Sequence, residues 1–132
     1  GEDIWEIGVA DVNGIHLLLS RNDPAEKLAG SLEKLEKKVD GASLLVGHNI
    51  LKWDWPILVG RLSNKHYPII WDTLLVDYLL EPWKASHALG STHHAHDDAN
   101  ASFVLFEKQL HQFDGELFLR IIQILNCNCC LT

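Results

Sequence analysis

Gly47-His48-Asn49-Ile50-Leu51-Lys52-Trp53-Asp54-Trp55-Pro56 is the stretch that decides how this chain folds. Just before it, Leu44-Leu45-Val46 is a short apolar run without alternation. That pattern suits a strand buried on both faces, as in sheets covered by helices on each side. The run stops at Gly47, the chain turns, and Asp54 lands at the start of a helix with Pro56 in its first turn. Asp54 reads in two ways. Aspartate is a good helix N-cap, and a carboxylate beyond the carboxyl end of such a strand also sits where α/β sheets form ligand crevices. Trp53 and Trp55 flank it, either as core residues or as stacking faces for bases.

Toward the N-terminus, residues 4–12 alternate, with Trp5, Ile7 and Val9 on one face. Asn13-Gly14 is a tight-turn dipeptide, and residues 15–19 return as the partner strand of a hairpin. A helix follows, with Asp23 as its cap, Pro24 in its first position and Glu26 at capping-box spacing. Leu28, Leu32, Leu35 and Val39 form its apolar stripe, and Gly41 ends it. Toward the C-terminus, the pattern predicts a helix over about 56–64, a strand over 68–71 and a helix over 74–80 that Pro82 breaks. Residues 86–96 are irregular and rich in histidine. A helix over about 97–111 carries Ala99, Phe103, Phe106 and Leu110, and a last one over about 115–125 carries Leu117, Ile121 and Leu125. The order β-β-α-β-α-β-α-α predicts an α/β layer architecture in one domain, residues 1–132.

Composition narrows the function classes. Hydrophobic residues are 47% and charged residues 22% of 132, too apolar for a disordered chain. The net charge of −7 argues against a basic protein that coats nucleic acid. It leaves room for one whose bound cations offset its carboxylates. No apolar run approaches the roughly 18 residues of a membrane span, and no basic-then-apolar signal opens the chain. Cys127, Cys129 and Cys130 are an odd, terminal cluster, which is not a disulfide framework. An intracellular, reduced protein, cytoplasmic or nuclear, is expected.

The other titratable stretch is His93-His94-Ala95-His96-Asp97-Asp98-Ala99. Acids at a helix start favour the helix dipole, which is a purely structural reading. A His-rich tract can also hold zinc. A third reading pairs a histidine base with an aspartate that holds a hard cation.

Together these stretches resemble the DEDDh-type 3′–5′ exonucleases, the proofreading (DnaQ-like) group with an RNase H-like fold. Gly47, His48, Asn49, Trp53, Asp54 and Pro56 are similar to the family's second motif, with Trp in place of the usual Phe. His93, Ala95 and Asp98 fit the third, His-x-Ala-x-x-Asp. Trp71-Asp72-Thr73, Ser86-His87-Ala88-Leu89 and Glu6-Ile7-Gly8 resemble further family stretches in the same order. The resemblance covers about residues 1–110, leaving 111–132 as a C-terminal helix and cysteine tail.

The resemblance implies an RNase H-like mixed sheet flanked by helices and hydrolysis of phosphodiester bonds at 3′ ends of single-stranded DNA or RNA. It implies Mg²⁺ or Mn²⁺ in a two-metal site, with Asp98 a direct metal ligand and Asp54 acting on the second metal through water. His93 becomes the base that deprotonates the attacking water. His48, Asn49 and Trp53 become substrate contacts. The family's first motif, Asp-x-Glu on its first strand, has no counterpart; Glu6 matches a different position, and neither Glu2 nor Asp3 replaces it. Impaired activity is therefore expected. Two other classes remain: a non-catalytic nucleic-acid-binding or scaffold domain of the same fold, of the kind fused to helicases or polymerases, and a small zinc-binding protein using His93, His94, His96 and the terminal cysteines.

Overall fold

Val12-Asn13 reverses the chain between β1 (Ile7–Asp11) and β2 (Gly14–Leu19), so the turn falls one residue before the expected Asn13-Gly14. Gly14 takes φ 122°, a value its missing Cβ permits. The strands pair antiparallel, with Asp11 opposite Gly14 and an irregularity between Ile7 and Gly8. The computed structural model describes residues 4–62, 69–90 and 94–113. His93, Pro68, the expected helix over 115–125 and Cys127, Cys129 and Cys130 lie outside the described residues.

Helix α1 (Lys27–Asp40) packs its stripe on the hairpin. Leu35 and Val39 are buried with Ile7 and Leu19, and Leu28 and Leu32 pack around them. Burial of such side chains is worth roughly 1.5–3 kcal/mol each against exposure. Ser31 enters this apolar contact by donating its hydroxyl to the Leu18 carbonyl at 2.7 Å. The helix starts later than the Asp23 cap predicts. The Asp23 carboxylate instead accepts from the Ser20 N–H at 2.8 Å and Lys27 Nζ at 3.0 Å, closing a turn ahead of the helix.

β3 (Leu44–Gly47) and β4 (Ile69–Asp72) pair in parallel, Leu44 opposite Ile69 and Gly47 opposite Asp72. Between them lies the short α2 (Asp54–Val59), which begins at Asp54 itself and stops before Gly60 rather than running to 64. After β4 come α3 (Thr73–Leu80) and α4 (Ala95–Leu110). The chain is thus mixed α/β.

Among the described residues, the strands of the expected mixed sheet form two two-stranded sheets, β1-β2 and β3-β4. Helix α4 joins them: it contacts β1, β2, β3 and α3. Gly8 makes that approach possible, because a Cβ there would run into the main chain of Ala95 and His96. On α4 the deeply buried positions are Ser102 and Gln109, not the Ala99, Phe103, Phe106, Leu110 stripe, and Leu110 is 40% exposed. The reason is polar. Trp71, 1% exposed, donates its indole N–H to Gln109 Oε1 at 2.9 Å, and Gln109 Nε2 donates to the Thr73 carbonyl at 2.9 Å. Phe106 and Phe113 meet the Trp71 ring edge-on at 5.2 and 5.4 Å, completing a second apolar cluster with Val76. Among the described residues no helix is long and apolar enough to cross a membrane.

Candidate functional site

The site is built around the carboxyl ends of β3 and β4. Gly47 ends β3 where a Cβ would press on the Ile50 side chain at 2.7 Å, so the 47–51 turn closes tightly. Asn49 takes φ 61°, the left-handed region that asparagine tolerates better than most side chains. This reversal turns main-chain N–H groups toward Asp72. The Asp72 carboxylate is 1% exposed and accepts from Asn49 N at 2.8 Å, Leu51 N at 3.2 Å and Leu74 N at 3.0 Å. One buried side chain therefore caps α3 and pins the turn that carries the chain to Asp54.

His48 adds two more ties. Its Nδ1 lies 2.9 Å from Thr73 Oγ1 and its Nε2 lies 2.8 Å from the His87 carbonyl oxygen. His87 is itself buried. Its Nδ1 donates to Asp77 Oδ2 at 2.7 Å, and Lys84 Nζ reaches the same oxygen at 3.0 Å. Burial pushes the Asp77 carboxyl up, but the Lys84 and His87 hydrogen bonds together hold it below its ordinary value. Tyr78 stacks on the His87 ring at 3.8 Å. His87 Nε2 is buried without a hydrogen-bond partner among the described residues.

Asp54 keeps a face open to solvent, yet it is crowded by protein on its other sides. That loss of water raises its carboxyl above the ordinary value, and the charges of Asp72 and Asp98 add to the rise. Asp98, in the first turn of α4, is raised by desolvation and by Asp97 and Glu6, with His48 opposing. Asp72 from the end of β4 and Asp98 from α4 thus both disfavour the charge of Asp54 at the start of α2. Asn49 is part of the turn, and its backbone is bonded to Asp72. Trp53 is 57% exposed, so it is available as a stacking face rather than being core.

Glu6 belongs here too. Its nearly buried carboxylate accepts from the Ala95 N–H at 2.8 Å and pairs with His94 Nδ1 at 3.1 Å. Those two hydrogen bonds, His94 first, hold Glu6 below its ordinary value. Glu6 thereby supplies the N-terminal capping that no side chain of α4 provides. The reading of the sequence gave Glu6 no such part, because its partners lie almost at the other end of the chain. Asp72 had a visible signal: an aspartate directly before a helix. His87, as the carbonyl partner of His48, had none.

Among the described residues, no group of three or more His, Cys, Asp or Glu side chains is arranged to hold a metal ion. A cavity of about 380 Å³ lined by Asp77, Lys84, His87, Leu89, Val104 and Lys108, among others, includes neither Asp54 nor Asp98. No protein-family model, curated protein or solved structure matches this chain.

Proposed function

We propose that this chain is an exonuclease-like domain of the DEDDh type, with an RNase H-like arrangement, that engages 3′ ends of single-stranded DNA or RNA and hydrolyses them poorly. The observation that carries the reading is the raised carboxyl of Asp54, to which burial contributes most and the charges of Asp72 and Asp98 add. Asp54 and Asp98 stand on α2 and α4, far apart in sequence, yet the charge of Asp98 is felt at Asp54. A carboxylate kept where its charge is disfavoured is held at a cost to the fold, as functional sites often are. The exposed Trp53 beside Asp54 offers a ring on which a terminal base can stack. Mg²⁺ or Mn²⁺ and the base role of His93 belong to the proposal only as what the resemblance implies, and no step is assigned to them.

The test is digestion and binding of end-labelled single-stranded oligonucleotides in Mg²⁺ and in Mn²⁺, with Asp54→Asn and Asp98→Asn alongside. Weak 3′–5′ laddering that vanishes in both variants is the expected result. Binding without any laddering would favour the non-catalytic nucleic-acid-binding reading. Absence of both binding and laddering would overturn the proposal.

A further inference from the structure

A main-chain carbonyl only accepts, so the 2.8 Å contact of His48 Nε2 with the His87 carbonyl oxygen places a proton on Nε2. In the neutral ring, Nδ1 is then left to accept the Thr73 hydroxyl proton across 2.9 Å. Thr73 is fully buried and His87 nearly so, and a buried polar group that loses its partner is costly. The turn passes this constraint on. Trp53 N–H donates to the Asn49 carbonyl at 3.1 Å, and Trp55 N–H donates to the Ile50 carbonyl at 2.8 Å. Asp54 is therefore strung between two main-chain bonds anchored on the turn.

We infer that His48 is a positioning residue: in its Nε2–H form it locks the turn bearing Asp54 to the 86–90 segment and to the start of α3, and so sets where Asp54 stands relative to Asp98. The inference rests on the reading of Asp54 and Asp98 as the working pair. It gives His48 a different part from a substrate contact, since both ring nitrogens are already engaged within the protein.

Native-state hydrogen exchange on the whole chain tests it. His48→Leu should lower protection of the Trp53 and Trp55 amides about ten-fold or more, while amides of the β1-β2 ladder change little. His48→Gln, whose amide N–H can still reach the His87 carbonyl, should recover part of the loss. Equal loss in turn and hairpin would mean a general stability effect and would overturn the inference, as would unchanged protection at Trp53 and Trp55. If His48→Leu does not fold, long-range ¹⁵N spectra of the native His48 ring decide: a proton on Nδ1 alone would sink the idea. Oligonucleotide binding is measured on the same samples. Local loss of protection in a chain that binds no oligonucleotide would leave the lock standing and remove the functional reading.

Discussion

Asp54 is held where its charge is unwelcome, and that has a consequence for stability. Its carboxyl is raised in the folded state by lost hydration and by the neighbouring charges of Asp72 and Asp98. A raised carboxyl means that the folded state holds its proton more tightly than the unfolded state. Stability therefore falls as pH climbs through the unfolded and then the folded value, and the cost is fully present at neutral pH. Asp54→Asn should stabilise the fold at pH 7 by no more than about 1 kcal/mol, because the open face of Asp54 screens the repulsion. The gain should disappear near about pH 3, where aspartate is protonated in both states. Urea unfolding at the two pH values measures both, and an equal gain at each would refute the electrostatic account.

At the level of elements, two glycines make opposite predictions. Gly8 lies where β1 meets the first turn of α4, with the main chain of Ala95 and His96 against it. Gly8→Ala must lift the helix or bend the strand, and it should destabilise by about 2–4 kcal/mol. Gly30 lies within α1 with nothing near the place of a Cβ. Gly30→Ala should stabilise by about 1 kcal/mol through helix propensity. Thermal unfolding of the two variants checks both signs.

The elements also show what the sequence could reveal. Asn13-Gly14 and the unbroken Leu44-Leu45-Val46 run announced their strands because turn chemistry and apolar patterning are local. Asp23 misled because its carboxylate found the Ser20 N–H nearer than the helix start. On α4, Phe106 packs against Trp71 as its stripe predicts, but Gln109 is buried more deeply by two specific hydrogen bonds, to Trp71 and Thr73, that hydropathy does not register. At the site, Asp54 and Asp98 stood out as carboxylates at helix starts. The Glu6 cap on α4 and the His87 tie to His48 depend on tertiary neighbours, which spacing does not encode.

Across the whole molecule, the Asp77, His87 and Lys84 group links α3 to the segment beyond it. Asp77 is held below its ordinary value, so its contribution is present above the unfolded carboxyl value and is lost as pH falls through the folded one. Asp77→Asn should lower stability at neutral pH, and the difference from the parent chain should shrink in acid. Unfolding midpoints taken across the acid range give the comparison, and a constant gap would show that packing rather than charge is at stake.

The two strand pairs also differ in how far the chain must travel to make them. β1 and β2 meet across a turn at Asn13, whereas Leu44 waits for Ile69. Closing the longer loop costs more entropy before any contact rewards it. The hairpin can form in about 1–10 μs, and the parallel pair should assemble later on a partly collapsed chain. Conservative truncations should reveal the order: Leu19→Ala slows refolding, while Ile70→Val mainly speeds unfolding. A nascent chain leaving the ribosome would then present a finished hairpin, with α1 beside it, well before the half that carries Asp98 exists.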